Sequence, residues 1–248
     1  MKHPLRTRIK KDIVSEFVPP SVRTSDVIIL CSGMPGYPAQ SELMFLLAKL
    51  GYWVFLPRYR GSWESGGSLL KISPHEDILD LIDSLSDGFT SIWDGKVYKI
   101  NNPKVRIIGS SFGGPAAILA STHKNVKKVV ALSPVIDWRI ESETEPLNKL
   151  KDFTLGAFGN GYRVNIKDWN KLKSGSFYNP ISVVGSLNKK KIYVIHAKDD
   201  DVVYPSGSIL FAEKLGCSFT LLKSGGHLSL SDIWRNASMR KKVLEFLG

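Results

Sequence analysis

The sequence has little cysteine and no long apolar run. Only Cys31 and Cys217 occur in 248 residues. Two thiols cannot build a disulfide framework, and these two offer no paired metal-ligand spacing. Both lie in or beside apolar stretches, so they read as buried free thiols, which fits a reducing compartment and a cytoplasmic location. No stretch approaches the ~18 apolar residues of a membrane span. The opening MKHPLRTRIKKDIV is charged but lacks the apolar segment of a secretory signal. A disulfide scaffold and a helical membrane protein are thereby excluded from expectation.

Acidic residues are also in short supply. Against 34 lysines and arginines stand 23 aspartates and glutamates, a net charge of +11 with histidine neutral. The basic residues fall in small scattered groups at 6–11, 124–128, 189–191 and 240–242. No nucleic-acid motif accompanies them and aromatics do not interleave with them, so they read as solvated helix ends and loops. Neither a nucleic-acid nor a membrane partner is expected, although the positive field favours anionic ligands.

What is present is an alternation of apolar, β-branched runs with helical patterns. It predicts an α/β fold, a mostly parallel central sheet with helices on both faces. Strands are expected at 27–33 (VIILCSG), 52–57 (YWVFLP), 104–109, 127–135, 191–197 and 218–223. Helices are expected over 39–50, ended by Gly51, and over 111–123, 207–215 and 231–247. Another helix should open at Ser73, whose hydroxyl would cap it while Glu76 completes a capping box. Residues 8–20 should form a short strand or hairpin at the sheet edge. No repeat or low-complexity linker interrupts the chain, so residues 1–248 read as one domain. The alternation breaks at 141–186, which carries Phe153, Phe158, Tyr162, Trp169, Phe177 and Tyr178 between two core strands. Such an insert serves as extra core helices, as a small cap over a pocket, or as both.

The chemistry centres on Gly109-Ser110-Ser111-Phe112-Gly113. This matches G-x-S-x-G, with Ser111 in the middle, between a buried strand and a small-residue helix. So sharp a turn strains its apex residue. Side chains two positions to either side would collide, which is why glycine stands there. Ser111 Oγ would be lifted clear of the sheet beside a helix N-terminus, which favours developing negative charge. A serine hydroxyl needs a base. Of five histidines, His3, His75 and His123 sit in a basic tail, a first helical turn and a helix end, and His196 ends an apolar strand as a structural residue. His227 follows Ser224-Gly225-Gly226 after the last strand, where flexible backbone can project an imidazole over the sheet edge. A carboxylate must fix the tautomer of that base, and HAKDDDVVYP at 196–205 offers Asp199, Asp200 and Asp201. The oxyanion of acyl transfer needs two donors. Phe112 N–H is one, and Met34 N–H in the loop CSGMPGYP at 31–38 is the other, with Gly33 and Gly36 letting the backbone approach. No metal or organic cofactor is implied, and no substrate-binding residue stands out.

Four stretches, GYWVFLPRYRGSWESGG at 51–67, GSSFGG at 109–114, LSPVIDWR at 132–139 and HAKDDDVV at 196–203, together resemble the α/β-hydrolase superfamily. Within it they are similar to the catalytic domains of the prolyl oligopeptidase and acylaminoacyl-peptidase group and their small esterase relatives. The likeness runs from about residue 26 over nearly the whole chain. It implies an α/β-hydrolase fold with a small helical cap insertion at about 141–186. It also selects Asp200, because the family's acid falls four residues after the histidine of the last motif; Asp199 and Asp201 are left to solvent or to holding the turn. Ser111, Asp200 and His227 then follow the chain order of that fold. There are departures. The peptidases carry a propeller domain for which this chain has no room. Ser32 stands where some have an oxyanion-loop tyrosine. Arg58 replaces the common aspartate or asparagine before Tyr59-Arg60-Gly61, and the sequence assigns it no role, a surface ion pair being the plain reading.

The expected function is that of a serine hydrolase cleaving carboxylic esters through an acyl-enzyme on Ser111, the aromatic insert implying an apolar acyl or leaving-group pocket. The alternative is a small serine peptidase or aminopeptidase of prolyl oligopeptidase type without the propeller, acting on short peptides. A non-catalytic hydrolase-fold binding protein is a third class, against which the complete Ser-Asp-His set argues.

Overall fold

The computed structural model describes residues 3–248. In chain order the strands are β1 (Leu5–Ile9), β2 (Ile13–Val18), β3 (Asp26–Cys31), β4 (Trp53–Pro57), β5 (Phe89–Thr90), β6 (Val97–Tyr98), β7 (Lys104–Ser110), β8 (Val126–Leu132), β9 (Ile192–Ala197) and β10 (Ser218–Leu222). The helices are α1 (Ser41–Lys49), α2 (His75–Asp87), α3 (Gly113–Ala120), α4 (Leu147–Phe158), α5 (Ile166–Asn170), α6 (Pro205–Leu215), α7 (Leu230–Arg235) and α8 (Ala237–Leu247).

Eight strands form one sheet in the order β1-β2-β4-β3-β7-β8-β9-β10. From β4 through β10 every pairing is parallel, while β1 and β2 join antiparallel at the edge, as the hairpin expected near 8–20. The central strands are apolar over most of their length because both faces are covered. In β3, Val27, Ile29 and Cys31 enter one core layer and Ile28 and Leu30 the other. Helices α2, α3 and α6 pack through Ile78, Ala117 and Phe211 on the first face, and α1, α7 and α8 through Leu47, Ile233 and Val243 on the second. Each fully buried Ile, Leu, Val or Phe among these contributes ~1.5–3 kcal/mol.

Several expectations are corrected. The capping box at Ser73 does not form. Pro74 takes the helical conformation at the N-cap of α2, and the Ser73 hydroxyl meets His75 Nδ1 at 2.7 Å instead. Glu76 turns to His75 Nε2 at 3.2 Å. The strand expected to reach 135 stops at Leu132, because Ser133 takes a positive φ of 40°. The C-terminal helix is broken at Asn236, whose side chain caps α8 by accepting from Met239 N–H at 3.0 Å. The β5–β6 hairpin was not expected; two-residue strands carry too little pattern. Cys31 is buried, but Cys217 is only half-buried, with burial pushing its thiol up to about 11. Arg58 is not at the surface. It is 3% exposed, and its guanidinium lies 3.0 Å from both Glu16 and Glu64.

The 141–186 insertion contains α4, α5 and short 3-10 turns at 159–161, 171–174 and 180–186. Its Leu147, Tyr162, Trp169 and Tyr178 join the core layer on the α3 side. Backbone hydrogen bonds tie it down: Trp63 N–H donates to Gly161 O, Arg163 N–H to Gly61 O and Leu69 N–H to Arg163 O, each at 2.7 Å.

Candidate active site

Strand β7 runs into α3 through Ser111, which has φ +52°. That left-handed conformation is strained for a side-chain-bearing residue. The two flanking glycines are required sterically. A Cβ at Gly109 would stand 2.3 Å from Gly113 O, and one at Gly113 would stand 2.1 Å from Cys31 O on the neighbouring strand. Ser111 N–H donates to Leu132 O at 2.9 Å, which fixes the turn against β8. The aromatic hydroxyl of Tyr178 donates to Phe112 O at 2.5 Å, so the insertion also holds the turn.

The loop after β3 lies directly on this turn. A Cβ at Gly33 would be 3.1 Å from Ser111 Cβ. Tyr59 OH donates to Ser32 O at 3.2 Å, and Tyr162 OH both donates to Gly36 O (3.1 Å) and accepts from Gly36 N–H (3.0 Å). Trp63 Nε1 adds a bond to Gly36 O at 3.1 Å. Between these anchors, Met34 and Phe112 line a pocket with Ser111. Among the described residues, neither Met34 N–H nor Phe112 N–H has a protein acceptor.

The three consecutive aspartates separate by environment. Asp200 is buried, 3% exposed, and its Oδ1 accepts from Val202 N–H (3.1 Å) and Val203 N–H (3.0 Å). His227 Nδ1 stands 2.9 Å from Oδ2 and 3.1 Å from Oδ1. Asp199 is exposed and accepts from Gly225 and Gly226 N–H, holding the loop that presents His227. Asp201 is exposed, and its carbonyl accepts from the Thr144 hydroxyl. Burial alone would raise the Asp200 carboxyl, but the close N–H groups of His196, His227 and Val203 outweigh it and hold the group well below the usual carboxylate range.

Gly226 (φ +60°) turns the chain after β10, and Ser133 Oγ accepts from Leu228 N–H at 3.1 Å. Nδ1 faces Asp200, which leaves Nε2 with no protein partner among the described residues. Ser111 and His227 line the same open cavity. No hydrogen bond joins the two side chains, the looser spacing ordinary before substrate binds.

Sequence reasoning read His196 as a structural residue and left two further neighbours, Ser133 and Glu145, unassigned. His196, fully buried, meets Ser208 Oγ through Nδ1 at 2.8 Å, and its Nε2 donates to Val203 O at 2.8 Å while standing 3.0 Å from Asp200 Oδ2. Its spacing four residues before Asp200 is the one sequence signal. Ser133 and Glu145 had none.

A sheet of this order, with a strained serine after the central strand β7 and an Asp–His pair after β9 and β10 at its edge, defines an α/β hydrolase. Residues 38–231 match the model of the prolyl oligopeptidase family, so the chain belongs to that family and is a serine hydrolase. Solved structures share the fold. The Pyrococcus furiosus esterase Pf2001 superposes with a TM-score of 0.68 at 18% identity, over 98% of this chain and 88% of that one. Est1E from Butyrivibrio proteoclasticus, solved with ferulic acid bound, gives a TM-score of 0.69 at 16% identity over 98% and 99%. The Pyrococcus horikoshii acylaminoacyl peptidase gives 0.62 at 18% identity, with 94% of this chain covering 38% of that chain. No curated protein matched the sequence.

Proposed function

We propose that the protein hydrolyses carboxylic esters through an acyl-enzyme on Ser111. His227 Nε2 takes the Ser111 proton as Oγ attacks the carbonyl carbon. Asp200 holds the Nδ1–H tautomer and stabilises the imidazolium that forms. Met34 and Phe112 N–H groups receive the oxyanion, each such donor supplying about 3–4 kcal/mol of transition-state stabilisation. The tetrahedral intermediate collapses, the leaving alcohol takes the proton from His227, and water repeats the sequence on the acyl-enzyme to release the acid. The insertion at 141–186 serves as the cap of the acyl pocket.

The observation that carries this reading is the buried Asp200 carboxylate paired with His227 in the cavity that Ser111 lines. The preference for esters rests on the second pocket at Ser111, walled by Val135, Trp138, Ile140, Leu147 and Leu150. Such a wall suits an apolar acyl group. Est1E, which binds ferulic acid, is consistent with a small acyl ligand on this fold. The test is labelling of the folded protein with a fluorophosphonate, followed by a panel of nitrophenyl esters and aminoacyl anilides. We expect stoichiometric labelling at Ser111 and ester turnover that falls on the order of 10⁶-fold in Ser111→Ala. Labelling that survives Ser111→Ala would remove Ser111 as nucleophile, and robust anilide turnover with negligible ester turnover would make the protein a peptidase.

A further inference from the structure

The apolar pocket and the open cavity meet at four shared residues, Met34, Ser111, Glu145 and Val202. Glu145 is the one that carries a charge. It is half-buried, and among the described residues its carboxylate has no ion pair and accepts no hydrogen bond. Its backbone is fixed all the same: Glu145 N–H donates to Ser142 Oγ at 3.0 Å, and Pro146 follows at the N-cap of α4. The neighbouring acid is already engaged. Glu141 accepts from Leu147 N–H at 2.9 Å and lies 3.9 Å from Lys173.

The charge around the site runs against the rest of the molecule. The chain carries 34 lysines and arginines, yet none lines either cavity. The ionisable groups facing Glu145 are Glu141 in the pocket and His227, with Asp200 behind it. Burial raises the Glu145 carboxyl, His227 opposes that rise and Asp200 adds to it. A partly desolvated carboxylate without a partner gains most from a ligand cation, since a charge-assisted hydrogen bond is roughly twice as strong as a neutral one. Its place at the same junction as Ser111 sets that cation beside the reacting carbonyl, and the apolar wall receives what branches from the next carbon.

We propose that Glu145 is the specificity residue of this site, binding the protonated α-amine of an aminoacyl ester whose apolar side chain fills the pocket walled by Trp138, Ile140, Leu147 and Leu150. The proposal rests on Ser111 being the nucleophile. It gives the site a recognition element that the insertion's sequence does not advertise.

The experiment compares leucine methyl ester with methyl 4-methylpentanoate, the same acyl skeleton without the amine, at about pH 7, where much of the α-amine is protonated. We expect wild type to prefer the amine-bearing ester by about ten- to a hundredfold in kcat/KM. In Glu145→Gln the ratio should collapse towards one, mainly through a higher KM for the leucine ester. The shorter Glu145→Ser should give the same collapse. A Glu145→Gln variant that keeps the wild-type ratio overturns the proposal, as does a wild type that cleaves the uncharged ester as well as the charged one. Fluorophosphonate labelling on the same preparations separates the two levels. Absence of label at Ser111 sinks the hydrolase assignment of this site, whereas intact labelling with an unchanged ratio sinks only the role of Glu145.

Discussion

Asp200 differs from Asp199 and Asp201 only in what surrounds it. Buried, doubly capped by backbone N–H groups and in contact with two imidazoles, it orients His227, while Asp199 orients only the loop below it. We therefore expect Asp200→Asn to lower kcat/KM for a nitrophenyl ester by about 10³–10⁴-fold. Asp199→Asn should cost far less, and Asp201→Asn least. Equal losses at all three positions in steady-state assays would leave the acid unassigned. His196 can be tested separately. His196→Phe strands Val203 O and Ser208 Oγ in the interior, at about 1–3 kcal/mol for each buried group left unpaired. An unchanged urea midpoint would show that this ring is not holding the Asp200 turn.

At the scale of elements, the β7–α3 turn was legible in the sequence because its constraint is local. Glycines two residues either side of Ser111 are demanded by backbone atoms 2.1–2.3 Å from where a Cβ would go. Gly113→Ala should consequently lower the melting temperature sharply or prevent soluble expression. Gly36→Ala should be tolerated, because no protein atom lies within 4 Å of the Cβ site. Comparable melting curves for the two variants would contradict this steric account. The strands and most helices were legible for a related reason, as runs such as 27–31 are buried on both faces and admit only apolar residues. What escaped depends on distant partners. Arg58 looks like a surface residue until Glu16, 42 positions away, pairs with it in the interior. The Ser73 cap failed because His75 competes for the same hydroxyl. Glu145 was invisible because lacking a partner is a property of the folded chain.

For the whole molecule, the depressed Asp200 carboxyl links the site to stability. A carboxyl whose folded value lies below its unfolded value of 3.8 contributes stability that is fully present above that value. The contribution is lost as pH falls from there towards the folded value. Urea midpoints of wild type should thus drop below about pH 4 more steeply than those of Asp200→Asn. The gap between the two proteins should be present at neutral pH and narrow in acid. A gap that widens as pH falls would reverse the sign of the Asp200 contribution. Family membership and the sheet order agree with what the motifs implied, since the motifs fall at strand ends where the topology converges.

The paired hydrogen bonds between Tyr162 and Gly36 have a consequence for engineering. They tie the insertion directly to the loop that carries Met34. A chimera that transplants another insertion onto this sheet must bring a phenol to that place, or it will free the backbone beside Ser111 even when every residue of the original loop is kept.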